Sequence, residues 1–281
     1  MNVVIHLGFP KTGSSTLQFG PFLALDKSDA LCLRTWRKYD TEEDLEDRPS
    51  SRLFQGRMID ASYLNFWRTA TNILSDESFT APVRLRKLNF GDDINDPFFF
   101  PEKIINQIKS AYPDSTLNIS CLVIIREQSS LIASQYVEEF NWKRYKNIDL
   151  LFDEDGFPDL SGYEIYNFAS YLEKLEMLLG HENCNFLLFE DLVFDPQNFC
   201  RRLDEIFDIG PEFFQSSIKN SHVNNKNKSI YGSFTKDGEY FVPNLSDDIL
   251  QFIRRHYYEN NKKLMRFFPK DKLLKYEYID A

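Results

Sequence analysis

The first sixteen residues constrain this chain more than any other stretch. Val3-Val4-Ile5-His6-Leu7-Gly8 is an apolar, β-branched run, which reads as a strand buried on both faces. It leads directly into Phe9-Pro10-Lys11-Thr12-Gly13-Ser14-Ser15-Thr16. There proline and glycine turn the backbone, and consecutive hydroxyl residues open a helix predicted over residues 14–25. Strand end, turn and helix start together aim unpaired N–H groups and the positive end of a helix dipole at one point. Lys11 adds a mobile cation there. The arrangement is an anion cradle.

A second segment carries the same logic. Residues 116–126, Thr-Leu-Asn-Ile-Ser-Cys-Leu-Val-Ile-Ile-Arg, are too short to span a membrane and read as a central parallel strand. Arg126 stands at its carboxyl end, the edge where open α/β sheets bind ligands. Ser134 follows eight residues later, inside an amphipathic stretch over 129–145. Elsewhere the pattern predicts an exposed acidic connection at 40–47 and a strand at 72–75. It predicts helices over 53–71, 101–111 and 163–179, the last ended by Gly180. In the 53–71 helix, Phe54, Ile59, Tyr63, Phe66, Trp67 and Ala70 are spaced for one buried stripe. A late strand near Asn185 precedes an amphipathic helix ending at Phe207, and Ser246 is placed to cap a final helix over 247–268. Strands alternating with helices predict a doubly wound α/β domain with right-handed crossovers.

Composition sets outer limits. At 281 residues the chain suits one large domain, with 211–281 a less certain extension of it. A formal charge of −10 supplies no broad basic field, so neither a nucleic acid nor an anionic membrane is expected as partner. Any phosphate must be met locally. The N-terminus reads as a strand and not as a secretion signal, so the mature protein is expected to start at Met1. Cys32, Cys121, Cys184 and Cys200 show no paired spacing and read as reduced core thiols, which suits a cytoplasmic home. The 26 phenylalanines, including Phe98, Phe99 and Phe100, are expected mainly in the core, with an acceptor groove as their alternative use.

The order of residues in the first loop separates two anion-site classes. Nucleotide triphosphatase loops follow Gly-x-x-x-x-Gly-Lys-Ser/Thr, with lysine after the second glycine, whereas Lys11 precedes Gly13. Pro10-Lys11-Thr12-Gly13-Ser14-Ser15-Thr16 instead resembles the 5′-phosphosulfate loop of sulfotransferases that use 3′-phosphoadenosine-5′-phosphosulfate (PAPS). Arg126 with Ser134 resembles that family's 3′-phosphate pair, in wording closer to its bacterial members than to the cytosolic animal enzymes, and a glutamate in the place of Glu77 resembles the base of the carbohydrate-modifying branch. Asn185-Phe-Leu-Leu-Phe-Glu-Asp-Leu-Val-Phe-Asp-Pro196 resembles its late strand and the acidic segment after it. The resemblance runs from residue 3 to about residue 210. It implies a P-loop-like three-layer α/β fold with a central, mostly parallel sheet flanked by helices. It also implies transfer of a sulfuryl group from PAPS to a hydroxyl or amine of a small-molecule or carbohydrate acceptor.

The resemblance then distributes roles. Lys11 neutralises the leaving oxygen, while Gly13, Ser14, Ser15 and Thr16, with Thr12 a weaker candidate, hold the 5′-phosphate through backbone and hydroxyl donors. Glu77, in Ser75-Asp76-Glu77-Ser78-Phe79, is the expected base, with Asp76 in reserve. Lys226, Lys228 and Ser229 occupy the place of a late loop over the 3′-phosphate, although the family's usual wording there is missing. Arg84, Arg86 and Lys87 steer an anionic acceptor or form a solvated face. His6, inside the first strand, reads as a satisfied core or edge residue and not as a catalyst. No metal is required by the chemistry. Two alternatives stay open: a nucleotide kinase with Asp191 as a magnesium ligand, and a non-catalytic scaffold that keeps the pocket.

Overall fold

The computed structural model describes residues 1–35, 48–66, 71–81, 99–113, 116–141, 151–152, 156, 158–220, 233–234, 240–241 and 244–280. Its contacts divide the chain into two compact units, residues 1–125 with 172–223, and residues 126–171 with 224–281.

The first unit is built on five strands: β1 (Asn2–Gly8), β2 (Leu31–Thr35), β3 (Thr71–Ser75), β4 (Asn118–Ile125) and β5 (Cys184–Leu188). All pairings are parallel and the order is β2-β3-β1-β4-β5, so β1 is central. Strands buried on both faces need continuous apolar sequence, and β1 is buried from its second residue to its last. After β1 the chain crosses to one side of the sheet, to β2, and after β4 it continues to the other side, to β5. The carboxyl ends of β1 and β4 therefore flank the point where strand order reverses, which is the ligand position in sheets of this class.

Helices cover this sheet. After β1 come α1 (Ser14–Leu17), a π-helical turn (Gln18–Phe22) and α2 (Leu23–Lys27). The helix expected over 14–25 is thus present but interrupted. Gly20 leaves helical geometry where Pro21 removes a backbone donor. One sheet face packs Val4, Leu31, Leu33, Ile73, Leu122, Ile124 and Leu187 against Leu17, Phe22, Phe199, Leu203, Phe207 and Phe214. Phe199, Leu203 and Phe207 form the buried stripe of an amphipathic helix that Asp195 caps by accepting from Asn198 N.

The helix expected over 53–71 is absent in that form. The structure has α3 (Pro49–Phe54) and α4 (Ala61–Leu64), with β3 beginning at Thr71. Gly56 at φ 70° breaks the first helix, Asp60 caps the second by accepting from Tyr63 N, and Asn65 at φ 45° ends it. Ile59 and Phe66 are still buried, so the apolar spacing marked burial without marking a helix. The helix expected from Pro101 begins two residues earlier, as α5 (Phe99–Ala111).

The second unit pairs α6 (Gln128–Asn141) with the long helix α11 (Asp247–Lys262); between them in sequence run α7 (Phe168–Leu179), whose residues from Leu172 on are counted with the first unit, and α8 (Phe189–Phe194), α9 (Pro196–Phe207) and α10 (Pro211–Asn220), which belong to the first unit. Ser246 caps α11, accepting from Ile249 N, and a 3₁₀ turn at Lys263–Arg266 replaces the end of the helix expected to reach residue 268. The helix expected over 163–179 is likewise split, into a 3₁₀ turn at Glu164–Tyr166 and α7, which Gly180 ends at φ 87°. The α6–α11 seam holds a closed polar pair. Gln128 and Asn261 exchange amide hydrogen bonds of 2.8 and 2.9 Å, and their remaining N–H groups donate to the carbonyls of Tyr166 and Tyr278. Every arm is used, the condition under which buried amides specify a packing arrangement without a desolvation penalty.

No described helix is long and apolar enough to cross a membrane. All four cysteines are free thiols; Cys121 and Cys184 are register partners on β4 and β5, and a hydrogen bond with Cys184, reinforced by burial, pushes the Cys121 thiol well up.

Candidate functional site

The loop after β1 is a tight knot around one carbonyl. Phe9 O accepts from Thr12 N at 3.3 Å, from Thr12 Oγ1 at 2.7 Å and from Ser14 Oγ at 3.3 Å. Two of the hydroxyls that the sequence offers to a phosphate therefore shape the loop itself. Lys11 has φ 64° and Gly13 φ 84°, both left-handed. Glycine adopts that geometry freely, whereas lysine there stores about 1 kcal/mol or more of backbone strain, a feature that concentrates at functional sites. Lys11, Gly13 and Thr16 are half-buried, and Thr12, Ser14 and Ser15 are buried.

Two close approaches depend on glycine. A Cβ at Gly8 would lie 2.0 Å from Ser14 Oγ and 3.0 Å from His6 Cε1, so α1 can sit over the end of β1 only because that Cβ is missing. A Cβ at Gly13 would meet Leu192 Cδ2 at 2.9 Å, so α8 presses on the loop from the side.

The turn after β3 is anchored to the same strand end. Glu77–Thr80 form a 3₁₀ turn, and Thr80 Oγ1 donates to Gly8 O at 3.0 Å. Asp76 is fully buried, and its two carboxylate oxygens accept from Ser78 N at 2.9 Å and Ser50 N at 3.0 Å. It is the cap of this turn. Glu77 is the turn's first residue and half-buried. Asp191 and Glu190 are buried in α8.

Beneath the loop lies a polar cluster with no sequence motif to announce it. His6 Nδ1 and Ser75 Oγ are 2.7 Å apart, and Gln18 Nε2 donates to the same oxygen at 2.7 Å. Ser75 Oγ accepts from Gln18 and keeps both a proton and a lone pair for His6 Nδ1, so the direction of the His6–Ser75 bond follows the imidazole tautomer. Burial pushes the His6 pKa from 6.5 down to about 3, so the ring is neutral. His6 Nε2 and Gln18 Oε1 are buried without a hydrogen-bond partner among the described residues.

In the second unit, Arg126 begins the chain after β4. Its Nε donates to Ser130 Oγ at 2.9 Å, and Glu127 caps α6 by accepting from Ser129 N, Ser129 Oγ and Ser130 N. Arg254 reinforces that cap through Ser129 Oγ at 3.1 Å, and it also pairs with Glu277. Ser134 is half-buried, one helical turn beyond Ser130 on the same face of α6. The sequence names Ser134 beside Arg126, and Ser130 joins them as the hydroxyl that Arg126 meets. The four-residue steps from 126 to 130 to 134 are the spacing that a sequence offers for such a contact. Lys226, Lys228 and Ser229 of the expected late loop, and Arg84, Arg86 and Lys87, lie outside the described residues.

No family model matches the chain, and no curated protein does. Among solved structures it is similar to a sulfotransferase from Alicyclobacillus acidocaldarius, at 13% identity and TM-score 0.44, covering 94% of each chain. It is also similar to the mouse sulfotransferase SULT7A1 complexed with PAP, at 11% identity and TM-score 0.47, covering 98% of this chain and 87% of that one. These are distant likenesses of chain path, too remote to speak for an activity.

Proposed function

We propose that this protein is a sulfotransferase that uses PAPS as donor and a hydroxyl or amine, on a small-molecule or carbohydrate acceptor, as recipient. The observation that carries the reading is the Pro10–Thr16 loop. It has the lysine-before-glycine order, a strained Lys11 and an adjoining helix start, and it follows the central strand of a parallel sheet at the ligand edge.

The residues fit such a donor. First-turn N–H groups from Gly13 to Thr16, the Lys11 ammonium and the Thr16 hydroxyl are the donors for a 5′-phosphate, while Thr12 and Ser14 hydroxyls hold the loop in shape. Arg126, Ser130 and Ser134 supply a fork and two hydroxyls for a 3′-phosphate, and Lys226, Lys228 and Ser229 are further candidates for it. When bound, PAPS supplies a sulfuryl group on a phosphate oxygen that departs as the acceptor bond forms. Lys11 offsets the negative charge that collects on the departing oxygen. Glu77 receives the proton that the acceptor hydroxyl or amine loses, and Asp76, both of whose oxygens are taken by backbone N–H groups, holds the turn that presents it.

Calorimetry separates this reading from its rivals. Adenosine 3′,5′-bisphosphate is expected to bind at least about tenfold more tightly than 5′-AMP, the value of roughly one charged contact. Arg126→Ala is expected to remove that preference. Equal binding of both nucleotides would discard the 3′-phosphate assignment, and magnesium-dependent binding of ATP in their place would favour the kinase alternative.

A further inference from the structure

The cluster of His6, Ser75 and Gln18 has properties that core packing does not explain. All three side chains are at most 1% exposed, and they interrupt an apolar sheet face: the His6 ring stands edge-on to Phe22, with centroids 5.5 Å apart, and Phe22 in turn meets Phe207. Apolar residues of the same shape would avoid desolvating three polar groups, two of which keep an unmet hydrogen-bonding atom. Their positions give the cluster its meaning. His6 lies on β1 two residues before Gly8, and its Cε1 faces the space a Gly8 Cβ would take. Gln18 follows α1, the helix that begins with the loop residues Ser14 to Thr16. Ser75 is the last residue of β3, directly before Asp76 and the turn headed by Glu77.

We infer that His6, Ser75 and Gln18 form a positioning relay that locks the Lys11 loop and the Glu77 turn into one rigid unit, so that disturbing either end loosens the other. The geometry is a chain of two bonds of 2.7 Å through a single hydroxyl, Gln18 to Ser75 to His6, joining the loop helix, the base-bearing turn and the central strand. None of the three touches a reacting atom. Their effect on transfer passes through Lys11 and Glu77, and that part of the inference rests on the proposed function.

The test uses Ser75→Ala and Gln18→Leu in the full chain, because His6 variants alone risk the fold of β1. Backbone hydrogen exchange is followed in residues 11–16, 76–80 and, as a distant reference, 196–207. The relay predicts that each variant raises exchange about tenfold or more in both 11–16 and 76–80 and leaves 196–207 unchanged, and that Ser75→Thr, which keeps the hydroxyl, restores both. Loosening confined to the mutated element, or none at all, overturns the relay. This readout needs no activity, so the relay stands or falls separately from the sulfotransferase reading. In the transfer assay the same variants are expected to lower kcat about tenfold with the KM for PAPS within about threefold. An unchanged kcat in a loosened variant overturns the relay's catalytic consequence.

Discussion

Replacing Lys11 by alanine is expected to lower sulfuryl transfer by about 10²–10³-fold, the usual cost of deleting one preorganised donor at a site of developing charge. Binding of adenosine 3′,5′-bisphosphate should weaken by only about tenfold, because the other loop donors persist. Glycine at position 11 is the sharper variant. The native residue sits at φ 64°, where glycine is unstrained, so Lys11→Gly removes the ammonium and relieves the backbone together. It should melt no lower than the parent while losing transfer to the same degree. Glu77→Gln gives the complementary result, with nucleotide binding unchanged within about twofold and transfer reduced by about 10²–10⁴-fold. Full turnover in Lys11→Gly would remove the ammonium from the mechanism. Full turnover in Glu77→Gln would remove the carboxylate.

Acid should unfold this protein through His6. The ring is neutral in the fold, with its pKa pushed down to about 3, whereas the unfolded chain takes up a proton near 6.5. The stability held by the neutral ring is therefore complete above about pH 6.5 and is lost progressively as pH falls from 6.5 toward 3. At pH 5 the loss from this one group is about 2 kcal/mol, a large share of a typical domain's stability. The carboxylates titrate in any variant, so the informative quantity is a difference. Urea unfolding at pH 7.5 and 5.0 should show a fall about 2 kcal/mol smaller in a folded His6→Gln protein than in the parent. Equal falls in the two proteins would mean that His6 is not the group responsible.

What the sequence made legible were features encoded by neighbours in the chain. The β-branched runs of β1 and β4 announce central strands, and the Pro10–Thr16 order announces the loop, because both depend on short-range backbone geometry. The misread 53–71 helix shows the limit of periodicity. Ile59 and Phe66 do become buried, but Gly56 and the Asp60 cap divide the backbone, and these local signals outweigh the spacing. The π-helical turn was foreshadowed by Gly20-Pro21, a pair that cannot continue a regular helix. His6, Gln18 and Ser75 lay beyond reach for a different reason. They are 57 and 69 positions apart along the bonds that join them; strand register sets His6 beside Ser75, and the π-helical turn after α1 carries Gln18 to the same hydroxyl.

The proposed function requires the loop after β1 and the arginine after β4 to serve the two ends of one nucleotide. A crystal structure with adenosine 3′,5′-bisphosphate tests it directly. The 5′-phosphate is expected against Lys11 and the N–H groups of Gly13 to Thr16, with the 3′-phosphate on Arg126 and the α6 serines. A nucleotide bound elsewhere, or one whose 3′-phosphate does not touch Arg126, would contradict it.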